Sequence, residues 1–282
     1  MSHVFEALRK SEGHKSDFLI EPEAFFHTFE DAPELTSVPS EQAKISPECR
    51  LVVWDNPDTL AADRYRLLRI HLEKLQAGGK LRTLLISSAS PQEGKSTVAL
   101  NLATVLAAKG KRKVLIIEAD LRCPSLARRL GLGKWNGLIS CLAEGHEPIS
   151  AVRRIEPMGF YLISAGEPVG NPTELLQSER LTHLVQSMSG RFDWILIDSP
   201  PTSPIADTLA LKPRADAGLL VVRSGKTQRE AVEESIRQFG SGFVLGIVLN
   251  GVEGLEREYS EYYNKYYGET AMQMSGTAAK AG

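Results

Sequence analysis

Gly94, Lys95 and Ser96 close the segment Ser87–Thr97, which lies between an apolar run and a helical pattern. Residues of these types in this order can hold phosphate. A tight loop aims backbone N–H groups at phosphate oxygens, and a helix N-terminus adds partial positive charge. Gly94 leaves room for the backbone to approach the anion. Lys95 would reach the β- and γ-phosphates, and the Ser96 hydroxyl would ligate Mg²⁺. Ser90, Pro91, Gln92, Glu93 and Thr97 complete the candidate loop, with Ala89 where the usual phosphate loop has its first glycine.

Carboxylates stand at the ends of two further apolar runs. Val114–Ile117 leads into Glu118, Asp120 and Arg122, and Trp194–Ile197 leads into Asp198. In an open α/β sheet, ligands bind beyond the carboxyl ends of the strands. Acidic groups there can hold Mg²⁺, directly or through water, and can accept a proton from a nucleophile. Near the C-terminus, Tyr259, Tyr262, Tyr263, Tyr266 and Tyr267 make up five of the seven tyrosines in the chain. They read either as the ring stripe of a surface helix or as a set of phenol acceptors on a mobile tail.

The elements that must position these residues alternate from residue 51 onward. A helix is expected from Asp58 to the Gly78-Gly79 break, with Leu60, Leu67, Leu68, Leu72 and Leu75 as its apolar stripe. Strands are expected at Thr83–Ser87, Val114–Ile117, Phe160–Ile163, Trp194–Ile197, Ala217–Val222 and Val244–Leu249, with helices over 96–109, 179–189 and 227–239. Short helical pieces and loops fill 124–157. Unalternating β-branched runs separated by helices indicate an α/β fold: a mostly parallel sheet with helices on both faces.

The whole chain has 282 residues, 42% of them hydrophobic, and a formal net charge of −2. That composition excludes wholesale disorder and gives no global electrostatic reason to expect a nucleic-acid partner. Residues 1–50 carry ten acidic and five basic side chains and are read as an acidic N-terminal arm, flexible over 12–50. Val4, Phe5 and Leu8 share one side of a short helix that would need a docking surface, or else belong to a frayed terminus. Cys49, Cys123 and Cys141 form no CxxC pair, so reduced thiols and a cytoplasmic setting are expected. No stretch reads as a signal peptide, and none approaches the roughly 18 apolar residues of a membrane-spanning helix. The expected division is 1–50 arm, 51–252 nucleotide domain and 253–282 tyrosine-rich tail.

Taken together, the loop SxxxPxEGKST, the acidic strand end with Glu118, Asp120 and Arg122, the sequence Ile197-Asp198-Ser-Pro-Pro and the terminal tyrosines resemble the bacterial tyrosine kinases of polysaccharide synthesis and export. Val221–Thr227 and Gly246–Asn250 add to the likeness, which covers about 53–267. The resemblance implies a Rossmann-like P-loop ATPase fold. It also implies MgATP-dependent autophosphorylation of the tail in trans, self-association, and a membrane-embedded chain-length regulator as activator at the inner face of the plasma membrane. Residues 1–11 are the expected contact with that partner. Lys95 and Ser96 would bind phosphates and Mg²⁺. Glu118 and Asp120 would supply the carboxylate that positions or deprotonates the acceptor. Asp198 would organise the metal, Asn250 would meet the adenine, and Arg122 would border the nucleotide. Asp63, Arg66 and Arg69 match the family's ring-forming ExxRxxR motif, with Asp in place of Glu.

Two departures bear on activity. Gln92 replaces a common glycine, which is tolerable if that residue needs no positive φ. Glu118 replaces an aspartate, and its extra methylene could move a metal or a base. A partition-type switch ATPase and a catalytically weak nucleotide-binding scaffold of a polysaccharide export complex therefore remain as alternatives.

Overall fold

The computed structural model describes residues 35–45, 49–79, 81–110, 112–203, 206–240 and 242–253. In chain order the elements are β1 (Ser40–Gln42), α1 (Val52–Asp55), α2 (Leu60–Gln76), β2 (Thr83–Ser88), α3 (Lys95–Ala107), β3 (Val114–Glu118) and α4 (Leu126–Arg129). They continue with β4 (Val152–Glu156), β5 (Phe160–Ile163), α5 (Pro172–Gln177), α6 (Glu179–Ser189), β6 (Trp194–Asp198), α7 (Asp207–Leu211), β7 (Ala217–Arg223), α8 (Arg229–Phe239) and β8 (Val244–Asn250).

Among the described residues one eight-stranded sheet runs β1-β4-β5-β3-β6-β2-β7-β8. Every neighbouring pair is parallel except β4 with β5. The central strands β2, β3 and β6 are buried along their whole length, as strands covered on both faces must be. One core, built on Leu84, Ile86, Ile116 and Trp194, faces α3. The other, built on Leu85, Leu115, Ile197 and Val222, faces α6 and α8. Helix α3 is apolar nearly all round and is enclosed between the sheet and α2.

Three features differ from the sequence reading. The stretch 124–157 contains strand β4, which buries Val152 and Ile155 and is held by its antiparallel return into β5. In α2, Leu67 and Leu75 are 44% and 48% exposed. Tyr65 and Leu68 pack inward beside Leu72, which leaves Leu67 and Leu75 at the rim of the buried face.

The third difference concerns the arm. Residues 35–45 and 49–50 are laid on the sheet rather than free. Strand β1 extends the edge at β4, Ala43 N–H donates to Glu156 O at 2.9 Å, and Lys44 N–H donates to Leu130 O at 2.8 Å. Leu35, Val38, Ala43 and Ile45 pack against the two cores, and Cys49 and Leu51 are buried. Net acidity over 1–50 hid these apolar anchors. Residues 1–34 and 254–282, and with them Val4, Phe5, Leu8 and all five tail tyrosines, lie outside the described residues.

Candidate nucleotide site

The site is built where β2 turns into α3. Gly94 caps α3 with φ +97°, and the helix begins at Lys95. A Cβ on Gly94 would come within 2.1 Å of Asn250 Nδ2, so glycine is needed both for the backbone angle and for the approach of β8. Gln92 also adopts a left-handed φ of +62°. The condition under which glutamine would replace glycine without strain is therefore not met. Glutamine there stores strain of about 1 kcal/mol that a glycine would not. Pro91 and Gln92 are exposed at the loop tip, and Glu93 is buried. The Ser88 hydroxyl donates to Ser90 O at 2.7 Å, closing the loop from the strand side.

Three carboxylates converge behind the loop, each in a different state. Lys95 Nζ pairs with Asp120 Oδ2 at 2.8 Å, and Asp120 Oδ1 accepts from Cys123 N–H at 3.1 Å. Asp198 is 1% exposed and accepts from the Ser96 hydroxyl, while its Oδ1 has no partner among the described residues. Burial pushes the Asp198 carboxyl up to about 7, against the opposing pull of Lys95 and Ser96. A buried carboxylate oxygen without a partner, beside a helix-start serine hydroxyl, is a donor set that suits a small hard cation. Ser96 and Asp198 thus fit Mg²⁺, with Asp120 beside them.

Glu118 departs from its expected role. Its Oε1 accepts from Ser125 N–H at 2.6 Å and Leu126 N–H at 2.5 Å, and its Oε2 accepts from Ala165 N–H at 3.0 Å. The added methylene carries the carboxylate to the start of α4 and the end of β5, where both oxygens are engaged. Burial raises its pKa, and the three amides oppose that shift. Glu118 is a strap between three segments, and Asp120 and Asp198 are the acidic groups beside Lys95.

Other expected residues are also engaged. Arg122 Nε donates to the buried Asp207 at 2.7 Å, and its Nη2 donates to Thr173 Oγ1 at 2.8 Å. Asn250 Nδ2 donates to Glu93 O at 2.8 Å, tying the end of β8 to the loop. Thr97 Oγ1 accepts from Arg129 at 3.1 Å. On α2, Arg66 pairs with Asp63 at 2.6 Å, and Arg69 Nη1 donates to Val105 O at 3.1 Å. Arg69 therefore serves to hold α2 on α3 within one chain.

Sequence reasoning assigned no role to Thr227, whose hydroxyl donates to Glu93 Oε1. The turn Ser224–Thr227 was visible as a motif, but its partner lies 134 positions away. Asp207 and Arg129 carry no local signal at all.

Similarity to known proteins agrees with this geometry. The ParA family model, described as NUBPL iron-transfer P-loop NTPase, matches residues 81–274. The tyrosine-protein kinase YwqD of Bacillus subtilis is 33% identical over 77% of this chain and 91% of its own length. The succinoglycan biosynthesis transport protein ExoP of Rhizobium meliloti is 29% identical over 78% of this chain, but this chain spans only 30% of it. The kinase domain of Escherichia coli tyrosine kinase ETK superposes with a TM-score of 0.68 at 30% identity, covering 72% of this chain and 80% of that one. With its phosphate loop, acidic strand ends and sheet order, the chain belongs to the ParA-like P-loop NTPases and, within them, to the bacterial tyrosine-protein kinases.

Proposed function

We propose that this protein uses MgATP to phosphorylate tyrosines, chiefly Tyr259, Tyr262, Tyr263, Tyr266 and Tyr267 of a second copy, and that it thereby regulates polysaccharide polymerisation and export. The observation that carries the reading is the meeting of Lys95, Asp120, Asp198 and Ser96 at the start of α3. The names of YwqD and ExoP support the two halves of the proposal, tyrosine phosphorylation and polysaccharide transport.

Phosphoryl transfer asks a protein mainly to position groups and to offset charge. The loop amides after Pro91 and the start of α3 would hold the polyphosphate. Lys95 must exchange Asp120 for a phosphate oxygen. That exchange leaves Asp120, 4% exposed, without its counter-ion and able to orient and deprotonate an incoming phenol. The phenol needs such help, because tyrosine ordinarily titrates near ~10. Bound Mg²⁺, held by Ser96 and Asp198, would supply charge neutralisation on the transferring group. Glu118 keeps the β3–α4 turn that carries Asp120 in place through its three amide bonds.

No helix among the described residues is long and apolar enough to cross a membrane. Recruitment to the inner face of the plasma membrane would then rest on a membrane-embedded chain-length regulator, for which residues 1–11 are the proposed contact.

Incubation of the purified chain with MgATP should add phosphate-sized mass increments that map to Tyr259–Tyr267. The Lys95→Met protein should show none. Undiminished phosphotyrosine in that variant would refute the site. ATP hydrolysis without phosphotyrosine would assign the chain to switch ATPases instead.

A further inference from the structure

The phosphate loop is held in a strained shape, and the restraint comes from the ends of β7 and β8, which lie in that order beside β2 in the sheet. Gln92 and Gly94 both have positive φ, and Glu93 lies between them. Glu93 is 4% exposed, an unusual setting for a carboxylate beside a polyanion site. Its side chain and its backbone are each taken by a different strand end. Thr227, four residues beyond β7, donates its hydroxyl to Glu93 Oε1. Asn250, the last residue of β8, donates to Glu93 O at 2.8 Å. Arg223 N–H donates to Thr227 Oγ1 at 2.9 Å, so the threonine proton is left for the carboxylate. Glu93 Oε2 has no partner among the described residues. An apolar side chain at 93 would avoid that penalty, so the bond to Thr227 is made against a desolvation cost.

We propose that Thr227, through Glu93 and together with Asn250, is a positioning residue that keeps the phosphate loop in its anion-binding conformation before nucleotide arrives. The clamp holds the residue between two left-handed positions. It therefore fixes the direction of the amides that must point at phosphate, and it opposes the relaxation of Gln92 to an ordinary backbone angle. Affinity rises when a loop is pre-ordered, because less ordering remains to be done on binding. This inference rests on the nucleotide-binding reading of the site.

The test uses the full chain and a fluorescent ATP analogue, with Thr227→Val, Thr227→Ser and Gln92→Gly compared with the parent. Thr227→Val keeps the shape and removes the donor. It should weaken ATP binding about tenfold, the scale expected for leaving a buried acceptor unpaired. The KM for ATP should rise by more than turnover at saturating ATP falls. Thr227→Ser should restore affinity. In a Gln92→Gly background, which removes the strain the clamp opposes, Thr227→Val should cost clearly less than tenfold, a measurable coupling between residues that do not touch.

Equal affinity of Thr227→Val and parent would overturn the proposal. So would equal losses in Thr227→Val and Thr227→Ser, or identical losses in the two backgrounds. A parent that binds no ATP would refute clamp and site together. A parent that binds ATP without making phosphotyrosine would refute only the kinase reading and leave the binding comparison to decide the clamp.

Discussion

Burial imposes an electrostatic penalty on Asp198, and that penalty has a sign. Its folded carboxyl titrates at about 7, above the 3.8 of an unperturbed aspartate. A group whose pKa is raised by folding contributes most to stability below its unfolded pKa, and that contribution fades as pH rises through the folded value. In the metal-free protein, Asp198 should therefore erode stability between about pH 4 and pH 7, by roughly 1.4 kcal/mol per pH unit. Asp198→Asn removes this dependence. Denaturant titrations without Mg²⁺ should find the variant progressively more stable than the parent across that window, by a few kcal/mol at neutral pH. The same variant should lose Mg²⁺-dependent phosphorylation. Parallel stability curves for the two proteins would contradict the burial argument. At this scale the sequence was legible where chemistry is local: Gly94, Lys95 and Ser96 follow one another, and Asp198 ends an apolar run. It was illegible where partners are remote. One methylene separates Glu118 from aspartate, and only the positions of Ser125, Leu126 and Ala165 show that this length turns a candidate acceptor-positioning carboxylate into a strap.

At the level of elements, long buried strands and the helices between them followed from pattern, because burial on both faces leaves little choice of residue. Strands β1 and β4 did not. Each sits toward the sheet edge and is short; β1 is Ser-Glu-Gln with no apolar residue, and β4 buries Val152 and Ile155 three positions apart, so neither shows the period of two that marks a strand. The β1 segment is held by backbone bonds to Leu130 and Glu156, and Asn101 of α3 ties down the chain that follows it by bonding Arg50 O and Val53 N–H. The segment thus joins the N-terminal chain to α4, and Arg129 of α4 reaches Thr97 on the first turn of α3. Gly131 is where this arrangement is tightest. It has φ +62°, and a Cβ there would lie 2.9 Å from both Lys44 Cβ and Lys44 O. Gly131→Ala should cost about 1–2 kcal/mol from the backbone angle alone. The contact with Lys44 should also lift residues 40–45 from the sheet. Faster limited proteolysis within 40–50, together with a lowered melting temperature, is the expected outcome. Unchanged cleavage there would mean that the strap is held by its apolar anchors and not by this contact.

For the whole molecule, the deciding quantity is charge added to an assembly. The chain starts near neutrality, with a formal net charge of −2. Each phosphotyrosine adds about −1.5 to −2, so five would bring it to roughly −10 or beyond, all within nine residues of one tail. On α2, where the proposed self-association would form, Arg66 is paired to Asp63 and Leu67 and Ile70 are exposed, while Arg69 is turned to α3. An assembly made through such a surface tolerates neutral tails and disfavours clustered dianions. If one copy phosphorylates another, Lys95→Met protein should gain phosphate when mixed with active protein lacking residues 254–282, and the initial rate should rise with the square of total concentration. As phosphate accumulates, the sedimentation coefficient should fall toward that of a single chain. Added salt should delay the fall, because screening at high ionic strength weakens repulsion between exposed charges. Phosphorylation of the intact parent at a rate per chain independent of dilution, with no phosphate gained by the Lys95→Met protein in the mixture, would place each tail in its own site, and the charge argument for disassembly would then have no assembly to act on.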